Sequence, residues 1–236
     1  MWHLTVQTNS ELAPLISGPD PASTAADPLF GTANAWNNLN IPFGVLSTNP
    51  IWNNLVNSTG ALTNVSFSVT GNVAGVDFNP FIANLDPLRS EFLAWNDTVG
   101  SGGLPLSTTI DWELTGLAPK TTYDMCVYGS QANYDRSFNM TIQGTTLNVP
   151  TFDATTSTPT PGCVLITNLL SDGNGMIAGV GTGIGDPSQY TSEADWSGFQ
   201  LVQVPDAAAV PEPSSVILIG TGTLSLFGTL RKRLVS

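Results

Sequence analysis

Short runs that alternate apolar and polar residues recur along this chain. A period of two fits a half-buried β-strand and not an amphipathic helix, whose apolar residues recur every three to four positions. Val65, Phe67 and Val69 alternate with Ser66, Ser68 and Thr70, and Gly71 ends the run. Leu106, Ile110, Trp112 and Leu114 mark a second strand, and Tyr123, Met125 and Val127 a third, with Cys126 and Tyr128 on its other face. Phe138, Met140 and Ile142 alternate before Gln143-Gly144, which can turn the chain into Thr145–Val149. Val164 and Ile166, a weak glycine-rich run at Met176–Val180, and Phe199 with Leu201 complete the series. Glycine-, proline- and asparagine-rich stretches separate these runs, which predicts a mainly β fold. The expected architecture is a single β-sandwich or jelly-roll-like domain over residues 30–204. No period of 20–50 residues repeats convincingly. One short helix is expected over Leu85–Trp95: Asp86 can cap it, Pro87 suits its first turn, and Leu88, Phe92 and Trp95 share a face. Residues 1–29 read as an irregular segment, broken at Gly18-Pro19-Asp20-Pro21 and Asp27-Pro28.

Charge placement narrows the function. Of 236 residues only 10% are charged, against about 25% in ordinary soluble domains. In residues 1–210, Arg89, Lys120 and Arg136 face seventeen acids, a net of −14. In residues 211–236, Arg231, Lys232 and Arg233 face Glu212 alone, a net of +2. An acidic body argues against nucleic acid as a partner, because such binding needs a positive surface to displace counterions. The only histidine is His3, and no Gly-x-Ser-x-Gly occurs, so a histidine-based nucleophile is not expected.

Cys126 and Cys163 fit one structural disulfide in an exported protein, and equally two buried thiols. No spacing supports a zinc site, and no cofactor is expected. Sequons at Asn57, Asn64, Asn96 and Asn139 carry little weight in a chain so rich in asparagine and threonine. Met1-Trp2-His3-Leu4 has neither a basic region nor an apolar run of leader length, so the true start is expected upstream of Met1.

The last 27 residues are the most specific segment. Val210-Pro211-Glu212-Pro213 precedes Ser214–Leu230, a stretch without charge, and Arg231-Lys232-Arg233 follows. As a helix, Ser214 to Leu230 would reach roughly 26 Å. That nearly crosses a hydrocarbon core of about 30 Å, and the basic cluster can extend it. Gly220, Gly222 and Gly228 suit a membrane helix better than a soluble one. Three adjacent cations predict a cytoplasmic C-terminus and an acidic body beyond the inner membrane. This order of parts resembles the PEP-CTERM protein-sorting domain of Gram-negative bacteria. The resemblance implies export, transient anchoring in membrane lipid, and processing near Pro211-Glu212-Pro213 by an exosortase-type membrane enzyme. The two prolines keep the motif extended and accessible. Residues 205–213 then form a linker and 214–236 the sorting helix and basic tail.

Within the body, Leu114-Thr115-Gly116-Leu117-Ala118-Pro119-Lys120-Thr121-Thr122-Tyr123 resembles the strand–turn–strand corner of fibronectin-type sandwiches. In that corner the tyrosine hydroxyl bonds back to the turn's backbone. Gly-Leu-x-Pro…Tyr, the Trp-Asn-Asn-Leu of Trp36–Leu39 and the Gly-Phe-Gln-Leu of Gly198–Leu201 are similar to segments of other PEP-CTERM bodies.

Three further groups are candidate sites. Asp111 and Glu113 share a strand face, but a glycosidase needs carboxylates on two sides of its sugar, so a solvated face is the better reading. Asp172, Asn174 and Asp186 could supply oxygens to calcium, yet Asp-Gly-Asn-Gly is explained by turn chemistry, and no metal is expected. Trp36, Trp52, Trp95, Trp112 and Trp196, with Tyr128 and Tyr134, could stack on sugar rings or pack the core. The expected function is a non-enzymatic surface or extracellular-matrix protein delivered to the cell surface, with exopolysaccharide as a candidate partner. A carbohydrate-binding module is the alternative, and a secreted hydrolase a more distant one.

Overall fold

The computed structural model describes residues 3–9, 37–41, 44–77, 91–98, 105–132, 134–153, 163–189 and 192–205. Strands in chain order are β1 (His3–Asn9), β2 (Asn37–Asn40), β3 (Leu46–Thr48), β4 (Ile51–Trp52), β5 (Ser66–Thr70), β6 (Asn72–Asp77), β7 (Glu91–Trp95) and β8 (Thr109–Thr115). They continue as β9 (Thr122–Gly129), β10 (Gln131–Ala132), β11 (Phe138–Ile142), β12 (Thr145–Val149), β13 (Phe152–Asp153), β14 (Val164–Leu170), β15 (Ile177–Gly183) and β16 (Ala194–Gln203). An eight-stranded sheet runs β14-β9-β16-β7-β6-β3, with β1 on β16 and β2 on β1. A six-stranded sheet runs β12-β11-β15-β8-β5-β4. Pairing within both is antiparallel except for β1 with β2. The chain is mainly β, in two facing antiparallel sheets.

The alternating runs place their apolar members between the sheets. Ile110, Trp112 and Leu114 of β8 are buried while Thr109, Asp111, Glu113 and Thr115 are exposed. Phe67, Val69, Phe138, Met140 and Ile142 join them from the six-stranded sheet, and Met125, Val127, Trp196, Phe199 and Leu201 from the eight-stranded one. Aromatic rings cross the interface: Trp196 meets Trp112 edge-on at 5.6 Å and Phe67 at 5.5 Å. Each such pair contributes about 0.5–1.5 kcal/mol beyond its buried area. The weak pattern of β15 follows from this core. A Cβ on Gly179 would lie 2.6 Å from Trp112 Cζ2, so the strand gives up side chains to admit the indole.

The Leu114–Tyr123 corner forms as its sequence suggests. Tyr123 Oη accepts the N–H of Ala118 at 3.1 Å, and burial, partly offset by that bond, raises the phenol's pKa. Gly116 adopts φ +78°, and a Cβ there would lie 2.1 Å from the Asn64 carbonyl oxygen. Only glycine fits that turn.

Two expectations are corrected. Glu91–Trp95 is strand β7, not the end of a helix, while residues 85–90 of that expected helix lie outside the described residues. Phe92, Leu93, Ala94 and Trp95 are all buried, because Leu93 and Trp95 enter the inter-sheet core while Phe92 and Ala94 join a second cluster with Ala74 and Leu106. A strand buried on both faces has no alternation, so its short apolar run reads equally as a helix. The second correction concerns His3–Asn9, expected to be irregular, which forms β1 and pairs His3 with Val202 through Gln7 with Gly198. Strand β16 is ten residues long, and β7 covers only Ala194–Trp196 of that edge. The rest of the edge offers unpaired backbone groups, which β1 takes up.

Candidate functional site

The sequence-derived sorting residues, Val210, Pro211, Glu212 and Pro213, Ser214 to Leu230, and Arg231, Lys232 and Arg233, lie outside the described residues. Among the described residues no helix is long and apolar enough to cross a membrane. By internal contacts the chain divides after Val204, one residue past the end of β16.

Most of the aromatic set is unavailable to a ligand. Trp95, Trp112, Trp196 and Tyr128 are buried at 2% exposure or less. Of the two alternatives for these four, sugar stacking or core packing, the structure shows packing: alternation and the bulge at Ser197 turn their rings into packed layers. Trp36 lies outside the described residues. Tyr134 is exposed and Trp52 is half-buried.

Asp111 and Glu113 project from the outer face of β8. In register, Asp111 lies between Thr70 and Val180, and Glu113 between Ser68 and Ala178. Thr141 and Gln143 help to line the open groove of about 430 Å³ over this face. The two carboxylates stand side by side, about 7 Å apart along one strand. Their register partners on β5 and β15, Ser68, Thr70, Ala178 and Val180, carry no carboxylate.

Of the calcium candidates, Asp172 and Asp186 each hold a turn, and Asn174 takes part through its backbone N–H. Asp172 Oδ1 accepts the backbone N–H of Asn174 and of Met176, both at 2.8 Å. Asp186 Oδ1 accepts the N–H and hydroxyl of Ser188, which holds its pKa below the usual carboxylate value. Among the described residues no cluster of three or more His, Cys, Asp or Glu could hold a metal ion.

Cys126 and Cys163 are disulfide-bonded, with Cα atoms 5.4 Å apart, and tie β9 to the start of β14. Beside the bond lies a buried polar row that the alternation did not reveal. Tyr128 Oη donates to Gln200 Oε1, and Ser130 Oγ donates to Asp195 Oδ2 at 3.2 Å. Arg136 donates through one guanidinium nitrogen to Glu193 Oε2 and, at 3.4 Å, to Asp195 Oδ2. All three ionic side chains are buried. Burial raises the Asp195 carboxyl well above the ordinary range, against the pull of Arg136, and raises Glu193 in the same way. Burial also opposes the Arg136 charge, but Asp195 and Glu193 outweigh it and its pKa rises. The sequence signal available was Arg136 itself, one of only three cations in the first 210 residues.

A second cavity, of about 330 Å³, is lined by Asn37, Leu39, Trp52, Asn53, Asn54 and Leu55, together with Ile51. All of these but Ile51 belong to two copies of one tetrapeptide, Trp36-Asn37-Asn38-Leu39 and Trp52-Asn53-Asn54-Leu55. The reading of the sequence missed the repetition, which is visible as soon as the two segments are aligned. Each terminal leucine enters the core, Leu39 at 2% and Leu55 at 4% exposure. The Asn37 carboxamide clasps the residue that follows the second copy: Nδ2 donates to Val56 O at 2.7 Å, and Oδ1 accepts Val56 N–H at 2.6 Å. This bond joins β2, attached to one sheet, to the segment after β4, the edge of the other.

Comparison with known families decides the C-terminus. Residues 209–233 match the PEP-CTERM protein-sorting motif. The chain carries a PEP-CTERM sorting signal. The PEP-CTERM motif implies export, recognition by the exosortase machinery and membrane-transient sorting to the cell surface. No curated protein matches the chain. Among solved structures, a plant Receptor-like Kinase FER aligns at 12% identity and TM-score 0.41, over 86% of this chain and 42% of its own. The chain thus spans less than half of that protein's length. The CBM36-1 domain of a multidomain xylanase from the hindgut metagenome of Trinervitermes trinervoides aligns at 13% identity and TM-score 0.33, over 59% of this chain and 99% of its own. TmCBM61, solved with beta-1,4-galactotriose, aligns at 14% identity and TM-score 0.32, over 58% of this chain and 88% of its own. At these scores none of the three bears on what this chain binds.

Proposed function

We propose that this chain is an exported, non-enzymatic surface or extracellular-matrix protein whose β body is the cargo of its PEP-CTERM signal. The supporting observation is the matched motif at residues 209–233, which begins five residues after the body's contacts end at Val204. Ser214 to Leu230 crosses the inner membrane transiently, with Arg231, Lys232 and Arg233 left in the cytoplasm of a Gram-negative cell. An exosortase processes the chain near Pro211-Glu212-Pro213, and the acidic body passes to the surface or the exopolysaccharide layer. The side-by-side placement of Asp111 and Glu113 favours a non-catalytic body over a hydrolase. For the carbohydrate-binding alternative, Trp52 and Tyr134 are the aromatics of the set with exposed surface among the described residues.

The test is a Glu212→Ala, Pro213→Ala variant expressed in the native host. It should stay in the membrane fraction at full mass while the wild-type protein leaves it. Equal release of both would refute processing at this motif.

A further inference from the structure

We propose that the cavity between the two Trp-Asn-Asn-Leu copies is a binding subsite for an uncharged polysaccharide. The inference deepens the reading of an exported cargo, and rests on it for the kind of polymer encountered. Among the described residues its lining holds one indole, three carboxamides and three aliphatic side chains, and no charged residue. That set matches a neutral pyranose. An indole packs against the C–H face of a sugar ring, and carboxamides donate to and accept from its hydroxyls. Without a cation among the described lining residues, and with a body of net charge −14 over residues 1–210, an anionic polymer is disfavoured.

The Asn37 carboxamide is committed to Val56 at both ends, so Asn53 and Asn54 are the amides that can reach a ligand. Asn53 Oδ1 accepts Ser66 Oγ at 3.0 Å. Asn53 Nδ2 and the whole Asn54 carboxamide have no hydrogen-bond partner among the described residues, and both side chains are exposed. Asn54 sits at φ 56°, a conformation asparagine tolerates and most residues do not. The segment is nevertheless held firmly. Leu55 N–H donates to Val65 O at 2.9 Å, Thr63 N–H donates to Leu55 O at 3.0 Å, and Asn37 grips Val56. Trp52 is stacked on Phe67, with ring centroids 5.7 Å apart and planes 17° apart, so its orientation is set before any ligand arrives. Amides displayed on an anchored loop beside a fixed, half-exposed indole lose little entropy on binding. The volume lies at the low end of the range for small-ligand sites, about 300–1,000 Å³, which suits a short stretch of a longer polymer.

The experiment is isothermal titration calorimetry of the full chain in mild detergent. The probes are hexaoses of glucan, galactan, mannan and xylan type, with oligogalacturonate as the anionic comparison. At least one neutral oligosaccharide should bind and oligogalacturonate should not. Trp52→Ala should weaken binding about tenfold or more. Asn54→Gly, which suits the positive φ and removes only the carboxamide, should weaken it about two- to tenfold with an unchanged melting temperature. Tyr134→Ala, outside this cavity, should bind as the wild type does. No binding by any neutral probe, wild-type affinity in Asn54→Gly, or preference for oligogalacturonate overturns the proposal. Because the unprocessed chain is used, failure here leaves the sorting reading intact, and failure of processing leaves this result intact.

Discussion

Replacing Arg136 by methionine isolates the buried ionic cluster. The change keeps an unbranched side chain but removes the cation that serves Glu193 and Asp195. Two buried carboxyls then have no partner of opposite charge among the described residues. Removing one member of a buried ion pair costs about 3–5 kcal/mol, mostly because the charge left behind stays desolvated. That cost depends on pH in a definite direction. Both carboxyls have folded-state pKa values raised by burial. Their contribution to stability is therefore fully present below the ordinary carboxylate range, near pH 4, and is lost as pH rises through the folded values. Asp186 is shifted the other way, so its contribution is lost as pH falls, but it is fully exposed and weighs little. Urea unfolding of wild type and Arg136→Met from pH 4 to 8 reads the effect. The loss in the variant should reach about 3–5 kcal/mol at pH 8. It should shrink to less than about half of that near pH 4, where both acids are protonated. In an Asp195→Asn variant the fall in stability from mildly acidic to alkaline pH should flatten. A loss that is constant across this range, or one below about 1 kcal/mol at pH 8, would refute the description of a coupled buried cluster.

Three further outcomes follow from the same structure. The Cys126–Cys163 bond closes a loop with a sequence separation of 37, so Cys126→Ala with Cys163→Ala should cost about 4 kcal/mol, read from the shift in urea midpoint. Tyr123→Phe strands the N–H of Ala118 and should cost about 0.5–1.5 kcal/mol by thermal unfolding. The purified chain should release no product from glycoside or ester substrates, and Asp111→Asn with Glu113→Gln should leave stability within about 0.5 kcal/mol of wild type. Hydrolysis abolished by that pair would establish an enzyme instead.

Where one face of a strand is buried and the other wet, its place in the fold was readable from alternation alone, as in β5, β8 and β11. Where both faces are buried the period vanishes, and Phe92-Leu93-Ala94-Trp95 passed for a helix. Bulges hide the pattern in another way. The register shift between Ile166 and Leu169, with Asn168 at φ 62°, puts two buried residues three positions apart in β14. Strand β1 escaped notice because its formation depends on an edge left open some two hundred residues later. The sorting signal was legible because it is local: a motif, an apolar span and a basic tip in fixed order. The Arg136 cluster and the Trp52 cavity are not local. Each needs residues brought together by pairing across long separations, as Asn37 is to Val56 and Arg136 to Glu193.

The most direct test of the central claim is the intact mass of the mature protein isolated from its native host. Processing by an exosortase predicts a C-terminus near Pro213, without Ser214 to Leu230 and without the Arg231, Lys232 and Arg233 tip. A mature protein whose mass still includes Ser236 would contradict the account.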